Sequence, residues 1–272
     1  MSDLLTKEPA LAPVRPVAAE GLVPSVSAVD IEAHGVAKSF GETPVFQDVS
    51  FRLARSAAVA LVGANGTGKS TLLRCLMGLI PVSDGKVTLL GEDTSIAKGR
   101  ELRALRARMG LVSQKHNLVP RLSVLSNVLH GLLGRKPGMR HWSHTFAPED
   151  SRAAAMQALD RVGLADFALR RADRLSGGQS QRVAIARAIV GHPEVLIADE
   201  PCASLDPAAG EDVMDLFFNL AREQGVTVVF ISHNIDHALR YGDRVLGLAE
   251  GRMKLDATAA SLSAQDLRGL YD

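Results

Sequence analysis

Cysteine and tryptophan are scarce in this 272-residue chain, with two of the former and one of the latter. Cys75 and Cys202 stand far apart and form no CxxC pair, so neither a disulfide framework nor a cysteine-built zinc site is indicated, and a reduced compartment fits best. A surplus of one charge is also missing. Lys plus Arg (31) nearly cancel Asp plus Glu (30), so no global field recruits nucleic acid, although a local basic patch stays open. Long apolar runs are absent too, since none approaches the roughly 18–20 residues needed to cross a bilayer. The N-terminus (MSDLLTKEPALAPVRPVAAEG) carries acidic residues and prolines where a signal peptide needs a continuous apolar stretch. A role at a membrane would require attachment through a partner.

What the chain does have is ordinary globular composition, 46% hydrophobic and 22% charged. Residues 1 to about 28 are rich in Pro, Ala and Val without helical or strand periodicity and read as an extension outside the fold. From Ile31 onward, short apolar runs alternate with helical stretches. AVALVG (58–63), VLIAD (195–199), TVVFIS (227–232) and RVLGLA (244–249) are too short and too continuously apolar for amphipathic helices. They suit central strands of a parallel sheet covered on both faces. Intervening helices such as AGEDVMDLFFNLAREQG (209–225) complete an α/β pattern. Between about Ile96 and Arg174 helical patterns dominate, with no clear buried strand after LVSQ (111–114), which predicts a helical lobe inserted into the α/β core. No internal repeat is visible.

Gly63-Ala64-Asn65-Gly66-Thr67-Gly68-Lys69-Ser70 fits GxxxxGK[ST] in full, with a strand before it and a helix after it. Glycines let backbone N–H groups converge on a polyphosphate at a helix N-terminus, which favours negative charge. Lys69 is placed to bridge the β- and γ-phosphates, the Ser70 hydroxyl to ligate Mg²⁺, and Thr71 to touch the α-phosphate. A bare connecting turn is the competing reading, and the Lys-Ser pair with correct flanks argues against it. VLIADE (195–200) ends a buried strand in two carboxylates. Asp199 can hold Mg²⁺ through water, and Glu200 can polarise the attacking water. Leu175-Ser176-Gly177-Gly178-Gln179 offers a second anion cradle, because Ser176 can cap the following helix and the glycine amides stay open. A plain helix cap is the alternative. With a single phosphate loop in the chain, a second cradle suggests a nucleotide held by another copy.

LSGGQ together with GANGTGKST, LIADEP, ASLD and a histidine closing a strand resembles the ATP-binding subunit of ABC transporters, from Ile31 to Asp272. The resemblance implies an α/β P-loop NTPase (RecA-like) core, about 29–95 and 185–272, with an inserted helical subdomain at about 96–184. It implies ATP and Mg²⁺ as ligands, and two copies arranged head to tail, each ATP lying between one phosphate loop and the other copy's Ser176-Gly177-Gly178. Gln114 matches the family's Q-loop, which contacts Mg²⁺ or the attacking water and senses the membrane partner. Ala203-Ser204-Leu205-Asp206 matches the D-loop, and His233 the switch histidine that reaches the γ-phosphate. Phe40 matches the aromatic that stacks on adenine, with a core phenylalanine as the competing reading. Ser180 stands where many relatives carry Gln, beyond the cradle, and Cys202 reads as packing beside the D-loop.

Within the family, QKHNLVPRLSVLSNVLHGLLG (114–134), the insertion around Trp142, HNIDHALRYGDRVLGLAEG (233–251) and the ending LRGLYD look most similar to the ATPase subunit of phosphonate importers. Trp142 could equally be loop packing. That likeness implies a peripheral subunit on the cytoplasmic face of the membrane, bound to a membrane-spanning permease and serving a solute-binding protein, with no nucleic acid partner. Phosphate, another oxyanion or an amino acid remains an alternative cargo, and a soluble ABC ATPase acting on ribosomes or DNA is a distant one. The chain also ends soon after the sheet, which implies no C-terminal regulatory domain.

Overall fold

The computed structural model describes residues 28–136 and 138–271. The extension expected over 1–28 lies outside the described residues, Ala28 apart. In chain order the strands are β1 (Val29–Phe40), β2 (Thr43–Ala54), β3 (Ala58–Val62), β4 (Asp84–Leu89), β5 (Glu92–Asp93), β6 (Met109–Ser113), β7 (Val195–Asp199), β8 (Thr227–Ile231), β9 (Arg244–Ala249) and β10 (Arg252–Thr258). The helices are α1 (Lys69–Leu76), α2 (Arg100–Arg106), α3 (Val124–Leu129), α4 (Glu149–Arg161), α5 (Gly177–Ile189), α6 (Pro207–Glu223), α7 (Ile235–Tyr241) and α8 (Ala264–Arg268). None of them is long and apolar enough to cross a membrane.

Six strands form one sheet in the order β10-β9-β3-β8-β7-β6, parallel from β9 to β6 with β10 antiparallel at one edge. Its central strands are apolar throughout because both faces are covered. In β3, Ala58, Ala60 and Val62 face a core shared with α3, α4, α5, α6 and α7, whereas Val59 and Leu61 face a second core shared with β1, β2 and α1. The period-2 alternation of a strand thus divides five consecutive apolar residues between two cores.

The second core rests on a four-stranded antiparallel sheet, β2-β1-β4-β5. This is a departure from the expected run of short apolar strands and helices after Ile31. β1 and β2 are twelve residues each, joined at Gly41-Glu42, and the buried positions alternate along only part of each. Register shifts along β1 break that alternation, so no clean period survives in the sequence.

The helical lobe also needs correction at its edges. Met109–Ser113, inside the range expected to be the insert, is the edge strand β6 of the six-stranded sheet, paired with β7. At the other end α5 runs unbroken from Gly177 to Ile189, so a boundary near 184 would cut a helix. Packed between β6 and β7 in sequence, α3, α4 and α5 contact one another, and Gly163 (φ 70°) ends the turn after α4.

Candidate functional site

The ends of β3, β7 and β8 open on one side of the parallel sheet, where strand C-termini place ligands in open α/β folds. Residues 63–68 leave β3 and enter α1. The glycines are required by space as well as by backbone angle. At Gly63 (φ 139°) a Cβ would lie 2.1 Å from the Leu248 carbonyl oxygen, and at Gly68 (φ 98°) 2.8 Å from Val45 Cγ1. Gly66 (φ 80°) faces open space, so its need for glycine is conformational alone. Asn65 is exposed at the loop tip, and Thr67 Oγ1 donates to Ala64 O (3.0 Å).

Lys69 is 6% exposed, and its ammonium donates to Gly63 O (2.8 Å) and Ala64 O (2.7 Å). Its pKa is lowered by burial, which the nearby carboxylates of Glu200 and Asp199 oppose. The loop is therefore curled around its own lysine, and a polyphosphate would compete for that charge with two neutral carbonyls. Ser70 Oγ donates to Asp199 Oδ1 (3.0 Å), and Thr71 follows in the first turn of α1. The Asp199 carboxyl is raised chiefly by burial, then by the Glu200 charge, against the Ser70 hydrogen bond and the cations Arg74 and Lys69.

β7 and β8 pair with Asp199 opposite Ile231, which brings the residues beyond them to one rim. Glu200 has φ 52°, an uncommon backbone for a non-glycine, and its N–H donates to Ile231 O (3.2 Å). In that pose its carboxylate accepts from His233 Nε2 at 2.6 Å. Lys69, Ser70, Asp199, Glu200 and His233 are thus linked at a single edge by hydrogen bonds or by charge proximity.

Among the described residues, the other expected ones make no hydrogen bond to those side chains, although Asp206 lines a pocket with Glu200 and His233 and Gln114 follows Ser113, the β6 residue paired with Asp199. Ser176 caps α5 by accepting from Gln179 N (3.2 Å) while Gln179 Oε1 accepts from Ser176 N (3.0 Å), a reciprocal capping box. A Cβ on Gly177 would meet Leu205 Cδ2 at 3.3 Å, whereas one on Gly178 would meet nothing within 4 Å. Asp206 caps α6 through Ala209 N (3.0 Å). Gln114 is exposed just past β6, lining a cleft with Asn117, Asp173, Ser180 and Ser204. Phe40, at the end of β1, is 55% exposed with Lys38 Nζ 4.8 Å from its ring centroid. Among the described residues no hydrogen bond joins Ser176–Gln179, Gln114 or Phe40 to the phosphate loop.

Some residues at this edge carry no motif signal. Leu270 O accepts from Ala64 N (3.2 Å), and the Tyr271 hydroxyl donates to Ser232 O (3.4 Å), so Leu270 and Tyr271 touch the loop and the residue before His233. Cys202 is not only packing: its Sγ lies 3.8 Å from His237 Nδ1.

A curled glycine loop on a buried lysine, at the C-terminal rim of a parallel sheet that also carries a helical lobe, defines a P-loop nucleotide hydrolase. The profile of the ABC transporter family matches residues 46–203, more than half of the chain, and the chain belongs to that family as an ABC-type ATPase. It is 48% identical over 258 residues to the phosphate-import ATP-binding protein PhnC of Mycolicibacterium smegmatis, covering 95% of each chain. It is also 48% identical to the phosphonates import ATP-binding protein PhnC of Nocardia farcinica, over 89% of this chain and 90% of the relative. Among solved structures, a dimeric bacterial ABC transporter cassette superposes with a TM-score of 0.74 at 33% identity, over 84% of this chain and 98% of its own. The cbiO1 cassette of Clostridium perfringens, part of an ABC transporter complex, superposes with a TM-score of 0.77 at 29% identity, over 88% of this chain and 92% of its own.

Proposed function

We propose that the chain is the ATP-hydrolysing subunit of an importer for phosphonates, working as a head-to-tail pair beneath a membrane-spanning permease. The observation that carries the hydrolytic part is the Glu200–His233 hydrogen bond beside the Ser70–Asp199 pair. The cargo and the direction of transport rest on the relatives' names; the permease, the placement on the cytoplasmic face and the solute-binding protein upstream rest on the family resemblance alone.

In this reading Lys69 exchanges the Gly63 and Ala64 carbonyls for phosphate oxygens, a stronger charge-assisted partnership. Ser70 and Asp199 together present a hydroxyl and a carboxylate, the hard oxygen donors that Mg²⁺ prefers. They would hold the ion, with Gln114 as a further candidate, and the bound ion would neutralise charge on the polyphosphate. Glu200 accepts the proton of the attacking water through the carboxylate oxygen that His233 leaves free. His233 keeps the carboxylate oriented until it turns to the terminal phosphate. Phe40 offers one exposed ring face to adenine. Ser176, Gly177, Gly178 and Gln179 face a nucleotide on the second copy, and Asp206 fixes the start of α6 next to that junction.

Glu200→Gln keeps shape and removes the base, so hydrolysis should fall roughly 10²–10⁴-fold while ATP holds two copies together on gel filtration. A variant that stays monomeric with ATP would sink the paired arrangement. Lys69→Ala should lower turnover on the order of 10²–10³-fold, as for loss of a charge stabiliser. The Mycolicibacterium relative favours phosphate as a second cargo reading. Deletion in a host without redundant uptake separates the two, since loss of growth on a phosphonate but not on phosphate supports the first and the reverse supports the second.

A further inference from the structure

Glu200 and His233 are each followed closely by a helix, α6 after the first and α7 after the second. Where these helices meet, five side chains form one network. Glu211 on α6 accepts from His237 Nε2 (2.7 Å) and from Arg240 Nη1 (2.9 Å), with the Tyr241 hydroxyl oxygen 3.2 Å away. Asp215, one turn on, accepts from the Tyr241 hydroxyl (2.7 Å) and from Arg240 Nη2 (2.8 Å).

His237 is only 5% exposed and sits at the crossing. Because the Glu211 carboxylate can only accept, the neutral imidazole carries its proton on Nε2 and turns the Nδ1 lone pair inward. There it meets Ser232 Oγ at 3.4 Å and Cys202 Sγ at 3.8 Å. Ser232 precedes His233, and its Oγ accepts in turn from Asn234 N (3.1 Å), the residue on the other side. One chain of hydrogen bonds therefore runs from α6 through His237 to the backbone on both flanks of His233. The same ring touches Cys202, two residues beyond Glu200.

The two loops that carry Glu200 and His233 border a pocket. A cavity of about 260 Å³ opens between them, lined by Glu200, Cys202, Asp206, Ser232, His233 and His237 among others. A loop bordering a void is free to shift, so a polar tether has more effect there than in a filled core.

We propose that His237 is a positioning residue for hydrolysis: oriented by Glu211, it fixes Ser232 and so sets the pose in which His233 meets Glu200. This rests on the hydrolytic reading of that pair. His237 touches no substrate and acts through Ser232.

The two ring nitrogens can be replaced separately. In His237→Gln the side-chain amide reaches the Nε2 position and keeps Glu211, but Ser232 loses its acceptor. In His237→Asn the amide oxygen stands near Nδ1 and keeps Ser232, but Glu211 loses its donor. The expected result is a kcat for ATP roughly 10- to 10²-fold lower in His237→Gln, the range for a misplaced catalytic group, with KM for ATP and Tm little changed. His237→Asn should recover most of that loss in kcat while its Tm falls. If His237 only clamps α6 to α7, the order reverses, with His237→Gln active and His237→Asn impaired, and the proposal is overturned. It is equally overturned by a kcat for His237→Gln within about twofold of the unaltered protein, the scatter of an ordinary surface change. Ser232→Ala should be no slower when combined with His237→Gln than alone, and additive losses would contradict a shared path. Glu200→Gln, measured alongside, keeps the two levels apart. Full turnover in that variant removes the hydrolytic reading itself, whereas its loss with an unaffected His237→Gln removes only the role of His237.

Discussion

Replacing Gly178 with alanine separates folding from function within one methyl group. Gly178 is the second residue of α5, has no left-handed φ, and a Cβ there meets nothing within 4 Å of this chain. Alanine is favoured over glycine by about 0.8–1.0 kcal/mol in a helix interior, and about half that is a fair allowance in a first turn. For a domain of this size roughly 2–4 °C accompanies each kcal/mol, so Tm should rise by about 1–2 °C. Turnover should move the other way. If a second copy's nucleotide lies against the open amides of Gly177 and Gly178, the methyl displaces its phosphate from them. Loss of one such charge-stabilising donor costs about 2.7–4 kcal/mol, or 10²–10³-fold in rate. Circular dichroism would follow Tm, a coupled phosphate-release assay would follow hydrolysis, and gel filtration of the Glu200→Gln protein with and without Gly178→Ala would follow ATP-dependent pairing. A folded Gly178→Ala protein with undiminished turnover would refute the reasoning, because no phosphate could then approach that residue closely.

Phe40→Ala should raise KM for ATP by roughly 5- to 150-fold at unchanged kcat, as loss of about 1–3 kcal/mol of base stacking requires, and Phe40→Trp should preserve it. Equal KM values would show that the exposed ring is not a base platform. The Cys75 thiol is 1% exposed and pushed up to about 11 by burial, and Cys202 is raised by burial and by Glu211. At pH 8 an aromatic disulfide reagent should therefore find at most one slowly reacting thiol in the native chain and two after denaturation; rapid reaction of both in the native chain would contradict the packing around α1. Because burial lowers the Lys69 pKa, the unfolded chain binds its proton more tightly in the alkaline range below the ordinary lysine value. Stability contributed there rises with pH, so the slope of unfolding free energy in that window should be shallower in Lys69→Met, measured by urea titration. An unchanged slope in that variant would place the lysine in a solvated setting, and a steeper one would mean that folding raises its pKa.

Legibility in the sequence followed how local the physical cause was. VLIAD and RVLGLA declared themselves as strands because Val195–Ala198 and Val245–Leu248 are buried on both faces, so none of those positions carries a polar side chain. The phosphate loop was legible because Gly63, Gly66 and Gly68 all take positive φ, a demand of the local backbone, although the clashes that also bar a Cβ at Gly63 and Gly68 come from Leu248 and Val45 on distant strands. β1 and β2 were not legible: buried and open positions mix along each without a fixed period, and the register shifts erase the alternation that would have marked them. His237 gave no signal either, since its partner Glu211 lies on a different helix and neither residue stands in a motif.

The amino-acid sequence by itself determined the phosphate loop, the acidic end of β7, the capped glycine turn before α5 and the parallel core, because each depends on local backbone energy or on burial written into consecutive residues. Only the tertiary structure decided that Lys69 rests on its own loop, that Glu200 meets His233, and that α6 and α7 are tied through His237. The last two depend on which strands lie side by side, the first on how the loop curls. The pairing of β7 with β8 is selected by the whole two-sided core rather than by any segment of it.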